Sequence, residues 1–340
     1  MDRRIVLLLA PALFAASLCV AQEPGPAYEH LKFLEPMVGH WKVVSTEQGK
    51  SISVGEESSE WILNKSFMRH VGWGQVDGKT AQYELYTGWN PKSKEVFQWA
   101  VGATEGGYAV IERLGAYDAA QRVWASRESG FASNGDKHTL LVKLKFVDDD
   151  TISMDFLERR NGNDPLPDRH ATFSRQAAFN PPATDDTPGP GYEQLKFLDF
   201  SVGKWKLETT TSGVGEYVGE ELNEWAFHKN FVRTKGWGKN AGEERIDYEL
   251  LMGWDPVNKE VFMRAFGSRS QFVTRKGTYD ADKKCVTSRQ TTVGPQGVES
   301  SETVEERYLD NDHFLLLFSD ATKDGKPEPG WELKVTRIVH

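Results

Sequence analysis

The sequence PGPAYEHLKFLEPMVGHWK beginning at Pro24 returns as PGPGYEQLKFLDFSVGKWK beginning at Pro188. The tryptophans keep step with it. Trp41 and Trp205, Trp61 and Trp225, and Trp73 and Trp237 are each 164 positions apart, and Trp89 and Trp254 are 165 apart. Further on, GAYD at Gly115 answers GTYD at Gly277, and Arg175 answers Arg337, at an offset of 162. A period this long is a whole domain, and no shorter period runs inside it, so solenoids and propeller blades are excluded. Phe179 to Gly191, FNPPATDDTPGPG, has the proline, glycine and acidic content of a boundary loop. The expected division is a first repeat over 26–178, a linker over 179–189 and a second repeat over 190–340.

Each copy must build its own core, because cysteine contributes little. Residues 1–21 have the layout of a secretory signal: Arg3 and Arg4, an apolar run from Ile5 to Val20, then Ala21. Cleavage after Ala21 removes Cys19 and leaves Cys285 alone, so no intrachain disulfide forms and folding rests on hydrophobic burial. Lipid anchoring at Cys19 is the alternative, disfavoured because Leu18 precedes it. The net charge of −9, with both signs mixed along the chain, lacks the basic stripe of a nucleic-acid or anionic-membrane binder. After export, the expected location is the periplasm or the exterior, with no membrane span.

Within one unit, Leu31, Leu34 and Val38 have helical spacing broken at Pro36 and Gly39, which predicts one or two short helical turns. The rest reads as strands: EWILNKSFMRHVGWG, QYELYTGW, KEVFQWAVG, YAVIERLGAYD, HTLLVKLKFV and TISMDFLE, separated by turn clusters such as VDGK and NPKSK. In HTLLVKLKF, Leu140, Val142, Leu144 and Phe146 share one face and Lys143 and Lys145 the other. A sheet of about eight to ten such strands tends to close, because closure removes its edges. The predicted fold class is all-β: two tandem antiparallel barrels, each preceded by a short helical turn.

FLEPMVGHWKVV and FLDFSVGKWKLE resemble the opening of lipocalins and fatty-acid-binding proteins, in which a short helical turn leads into a Gly-x-Trp on the first strand. The resemblance implies that Trp41 and Trp205 close one end of each barrel. It also implies that Arg175 and Arg337, on the last strands, lie across their rings, a contact of about 0.5–2 kcal/mol. Each unit also looks like an uncharacterised bacterial family of exported lipocalin-like domains that carry Gly-Trp-Asp/Asn-Pro, here Gly88 to Pro91 and Gly253 to Pro256. Haem-binding nitrobindin-like barrels share the opening, but their tyrosine-proline-threonine strand motif has no counterpart.

Polar residues present in both copies are the candidate site. They are Glu57 and Glu221, Glu60 and Glu224, Arg69 and Arg233, Tyr83 and Tyr248, Glu84 and Glu249, Arg113 and Arg275, and Arg127 and Arg289. Strand parity puts Arg69 on the face of Phe67 and Trp73. An arginine there is either in the lumen or cradled outside, and a buried one needs a carboxylate, for which Glu57 and Glu60 are available. The functional reading is a lumen in which Arg69, Arg113, Arg127 and Tyr83, or Arg233, Arg275, Arg289 and Tyr248, hold the acidic head of an apolar ligand. The competing reading is a set of structural ion pairs. No Ser/His/Asp set, phosphate loop or metal-spaced cluster is legible, and no cofactor is expected. The histidines are unrepeated: His70 answers Thr234 and His138 has no counterpart, so both read as incidental. Leu140 becomes Glu302 and Leu144 becomes Glu306, which makes the second lumen more acidic and the first the better host. The expected function is an exported, non-catalytic binding or carrier protein for a small, mostly apolar ligand. An enzyme acting on a barrel-bound molecule and a structural envelope protein are the alternatives.

Overall fold

Residues 23–76, 78–183, 187–209 and 216–338 are described by a computed structural model, and the expected signal segment with Cys19 lies outside them. The helical spacing at the start of each repeat resolves into one α-turn, Tyr28–Leu31 or Tyr192–Leu195, that tightens into a 3₁₀ turn, Lys32–Met37 or Lys196–Ser201. In the first repeat the strands that follow are β1 (Gly39–Glu47), β2 (Lys50–Ile62), β3 (Phe67–Val76), β4 (Lys79–Asn90), β5 (Glu95–Thr104), β6 (Gly107–Asp118), β7 (Val123–Ala132), β8 (Lys137–Phe146), β9 (Thr151–Asn161), the two-residue β10 (Asp164–Pro165) and β11 (Arg169–Gln176). The second repeat has β12 (Gly203–Thr209), β13 (Tyr217–Ala226), β14 (Phe231–Asn240), β15 (Ile246–Asp255), β16 (Glu260–Gly267), β17 (Phe272–Asp280), β18 (Cys285–Val293), β19 (Glu299–Tyr308), β20 (His313–Lys323), the short β21 (Lys326–Pro327) and β22 (Trp331–Arg337). Sequential antiparallel pairing runs round each set. The pairs β8–β9, β9–β11 and β11–β1 close the first, and β19–β20, β20–β22 and β22–β12 close the second. Two closed barrels of ten strands stand in tandem.

Closure selects which face is inside. In the first barrel Trp41, Met68, Trp124, Val142, Leu144, Phe146, Ile152 and Phe173 point inward and pack on Leu31, Leu34 and Met37 of the helical cap. In the second, Trp205, Leu207, Val232, Val304, Phe314 and Val335 pack on Leu195 and Leu198. The cap is tied to the wall by the same two residues in each copy. The Trp41 indole N–H donates to the Met37 carbonyl at 2.7 Å, and the Arg175 guanidinium lies 4.3 Å from the ring centroid. Arg175 also donates to the Pro36 and Val38 carbonyls, at 2.7 and 2.9 Å. Trp205 donates to Ser201 O at 2.6 Å, under Arg337 at 4.3 Å. The glycine of Gly-x-Trp serves this arrangement. Gly39 and Gly203 sit at φ +125 and +126, where side chains are disfavoured, and a Cβ would stand 2.8 Å from the arginine Nη1.

EWILNKSFMRHVGWG, predicted as one strand, is two. Leu63, Asn64 and Lys65 are all left-handed, with φ of 50, 58 and 54, and so are Phe227, His228 and Lys229 in the second copy. This turn exposes a carbonyl that the repeated Pro-Gly-Pro segment binds: Gly25 N–H donates to Asn64 O, and Gly189 N–H to His228 O, both at 2.6 Å. Neither glycine can carry a side chain, since a Cβ would meet Ser66 Oγ at 2.1 Å or Asn230 Nδ2 at 2.4 Å.

The outer faces of β3–β6 and β14–β17 are also apolar, and there the barrels meet. Phe67, Tyr86, Trp99, Val101 and Val110 form one core with Phe231, Leu251, Phe262, Phe266 and Phe272, and Tyr86 stacks on Phe266 at 4.4 Å. A charged knot lies beside it. Arg69 donates to both oxygens of Glu249, at 3.2 and 3.0 Å, while its repeat equivalent Arg233 pairs with Glu84. Residue i meets j and j meets i, the pattern of an isologous two-fold interface carried within one chain. Among the described residues no helix is long and apolar enough to cross a membrane.

Candidate functional site

Above the apolar floor of the first barrel, inward positions of β2–β8 carry a continuous polar ladder. Glu57 is buried with its Oε2 accepting from the Tyr83 hydroxyl at 2.7 Å. Its Oε1 accepts from Ser59 Oγ at 3.1 Å and faces His70 Nδ1 at 3.2 Å. His70 Nε2 stands 3.2 Å from Thr87 Oγ1, which accepts from Gln98 Nε2 at 2.9 Å. Gln98 Oε1 accepts from Arg113 at 2.8 Å, and Arg113 Nε donates to Glu128 at 2.5 Å. His138 Nε2 reaches the other Glu128 oxygen at 3.3 Å. Burial alone would push these carboxyls up. Instead Glu57 is held below the usual carboxylate range by His70, Tyr83 and Ser59, and Glu128 by the Arg113 guanidinium and His138.

The second lumen keeps part of this. Tyr248 donates to Glu221 Oε2 at 2.9 Å, but Asn223 and Thr234 replace Ser59 and His70, so burial wins and the Glu221 carboxyl is pushed up to about 7. Arg275 is retained while its carboxylate has moved. Gln290 stands where Glu128 does, and Glu306 on β19, at the place of Leu144, takes the guanidinium at 3.0 Å. Glu306 is therefore a neutralised partner rather than added free acidity.

Several predicted site residues lie elsewhere. Arg69 and Arg233 are outside the barrels, in the knot between them, because their strand face is the one with Phe67 and Phe231 that meets the other barrel. Glu60 is outside too, bound to Arg69 at 2.5 Å, so Glu57 is not the Arg69 partner. Arg127 and Arg289 alternate with the inward Ser126, Glu128 and Ser288 and are exposed on the surface. Glu57, Tyr83, Arg113, Tyr248 and Arg275 face inward. His70, His138, Thr87, Gln98 and Glu128 were missed because they are not repeated. The available signal was their phase: His70 shares the parity of Met68, and Glu128 that of Trp124.

The ladder does not assemble a nucleophile. Ser59 Oγ meets His70 at Nδ1, 2.8 Å away, on the same nitrogen as Glu57, so the ring cannot be oriented by one and deprotonate the other. Thr87, at the opposite nitrogen, is fully buried. Among the described residues no group of three His, Cys, Asp or Glu has the arrangement to hold a metal. A cavity of about 730 Å³ opens over Glu128 and Leu140, rimmed by Arg159, Arg160, Leu166 and the predicted site residue Arg127, which reaches it from the outer face of β7, where the β8–β9 register shifts between Thr139 and Leu141.

Residues 25–164 match a protein family described as a protein of unknown function, DUF1579. Two solved structures are similar at low identity. One is a protein with unknown function from the DUF3598 family of Nostoc punctiforme PCC 73102, at 11% identity over 91% of this chain and 99% of that one, with a TM-score of 0.23. The other is the P pilus usher PapC translocation pore, at 9% identity over 89% and 75% of the two chains, also at 0.23. No curated protein matches.

Proposed function

We propose that this chain is a binding protein that carries a small, mostly apolar molecule in the lumen of its first barrel. The observation that carries the reading is the buried ladder itself. Each polar group there costs free energy unless it is satisfied, yet His70, Thr87 and Gln98 persist in a lumen whose duplicate replaces them with Thr234, Met252 and Met263. The cavity over Glu128 and Leu140 gives a ligand space at one end of the ladder. The lumenal arginines arrive already paired, Arg113 with Glu128 and Arg275 with Glu306. The polar end of the ligand is therefore a neutral hydrogen-bonding group, an alcohol or amide, rather than the carboxylate that unpaired arginines would read. A lipocalin-like relationship supports the same reading through the Gly-x-Trp opening and the terminal arginine. The basic pair and apolar run at the N-terminus support export, for which N-terminal sequencing of the mature protein at Gln22 is the test.

Titrating long-chain alcohols, amides and acids into the full chain, while following tryptophan fluorescence, measures the binding directly. The alcohol or amide is expected to saturate, and Gln98→Leu to weaken it about fivefold, the value of one neutral hydrogen bond of ~1 kcal/mol. No saturable change with any of the three, in protein shown to be folded, returns the ladder to a purely structural role.

A further inference from the structure

The cavity over Glu128 and Leu140 has a charge pattern that the second barrel does not repeat. Arg127 on β7 stands opposite Leu141 and Arg160 on β9 opposite Thr139, so two guanidinium groups flank the same stretch of β8 on the cavity rim. Both arginines are exposed. Arg127 has no ion pair or hydrogen bond among the described residues, and Arg160 donates only to the Asn163 carbonyl, at 3.1 Å. Their neighbour Arg159 is committed elsewhere, to Glu47 at 2.7 Å. Of the carboxylates on the lining, Glu128 is neutralised by Arg113, and the exposed Glu158 makes no ion pair among the described residues. Leu140, Pro165 and Leu166 add apolar surface. The duplicate settles the same positions internally. Arg289, in the place of Arg127, donates to Ser301 Oγ at 2.5 Å and to Thr303 Oγ1 at 3.3 Å, where the first barrel has Leu141 instead of Thr303. Thr322 stands in the place of Arg160, and Glu302, in that of Leu140, accepts from Gln290 at 2.7 Å. Trp331 takes the place of Arg169 and stacks on Phe318 at 3.9 Å.

We infer, resting on the lumen reading above, that the mouth of the first barrel reads one negative charge and that the carried molecule is an anionic amphiphile. Such a molecule has a neutral hydrogen-bonding group at its inner end, an apolar chain, and a carboxylate at its outer end between Arg127 and Arg160. Any occupant of the cavity covers part of the rim and takes water from two cations that have no carboxylate of their own. An uncharged occupant leaves that desolvation uncompensated. A carboxylate offsets it, because its two oxygens accept charge-assisted hydrogen bonds from a guanidinium edge. One charge is what the rim lacks, since Glu158 is a single carboxylate beside two unpaired arginines. The mouth therefore has the opposite preference to the ladder, where Arg113 arrives with Glu128 already bound. In the second barrel the hydrogen bonds to Ser301 and Thr303 hold the matching arginine on the wall, so the charge-reading mouth belongs to the first barrel alone.

The test uses the full chain, with ω-hydroxydodecanoate as the probe and the α,ω-diol of the same length as its neutral twin, both titrated by calorimetry. The acid is expected to bind about tenfold more tightly than the diol at low ionic strength. That advantage should shrink as salt is added, because the rim is open to water. Replacing Arg127 and Arg160 together by glutamine should bring acid and diol to the same affinity. Glu158→Gln should do the reverse and widen the gap, an effect that a merely structural role for the rim would not produce. Equal binding of acid and diol by the parent overturns the inference, and so does a gap that survives in the double variant. In either case diol binding that weakens with Gln98→Leu leaves the lumen reading standing. Binding of neither probe to the folded protein overturns both.

Discussion

Glu84→Ala is expected to cost about 3–5 kcal/mol of stability, because it strips the shared carboxylate from a knot of charges held between two apolar surfaces. Glu84 is 1% exposed. It pairs with Arg233, lies 4.0 Å from Arg69 and accepts the Tyr86 hydroxyl at 2.6 Å. Without it, Arg233 has no other carboxylate among its described partners, and Tyr86, buried in the seam, keeps only Glu249, at 3.1 Å. Burial and not the ion pair itself produces the penalty, so a second variant separates the two. Replacing Glu84, Arg233, Arg69 and Glu249 together by apolar residues of similar volume should cost far less than Glu84→Ala alone, since no uncompensated charge is left behind. Urea denaturation of both variants measures this, and the loss in Glu84→Ala should appear in the seam as a splitting of one transition into two. A cost below ~1 kcal/mol in Glu84→Ala would place the knot with exposed surface pairs.

That knot also shows what the sequence could and could not disclose. The fixed tryptophan offsets made the duplication and the all-β barrels readable, and alternation in HTLLVKLKF gave the inward face of β8 correctly, with Val142 and Leu144 buried and Lys143 and Lys145 exposed. Parity also put Arg69 on the side of Phe67. It could not say which side was the lumen, because β3–β6 are apolar on both faces: Met68 and Val96 serve one core while Phe67, Tyr86 and Trp99 serve another. A strand with two buried faces loses the contrast on which such reading depends. Identity between the copies misled for a related reason. A two-fold seam within one chain constrains the same position in both repeats, so Arg69 and Arg233 match because they meet each other's neighbours, not because they line equivalent pockets. The ladder escaped notice for the opposite reason, since His70 and Gln98 have diverged in the second copy.

The divergence is itself an experiment on burial, and it predicts opposite pH dependence for the same glutamate in the two barrels. Glu221 sits near 7 when folded and about 4.5 in an unfolded chain. Between those values the folded protein holds a proton that the unfolded chain has released, so this group's contribution is fully present below about 4.5 and is lost as pH rises through 7. At 1.36 kcal/mol per unit, trimmed for the partial exposure of Glu221, the loss is about 2–3 kcal/mol. Glu57, held below its ordinary value, runs the other way: its contribution is present above that value and is lost in acid. Glu302, also raised by burial, adds to the slope of the whole protein, so the readout is a difference. The stability of Glu221→Gln minus that of the parent should rise by about 2–3 kcal/mol from pH 4.5 to pH 8. Copying the second barrel into the first tests the cause. Ser59→Asn with His70→Thr removes the groups that hold Glu57 down, and Glu57→Gln on that background should then show the same upward difference that Glu221→Gln shows in the parent. If Glu57 still loses its contribution only in acid without His70, the imidazole is not what separates the two lumens, and the Tyr83 hydroxyl at 2.7 Å becomes the group to remove.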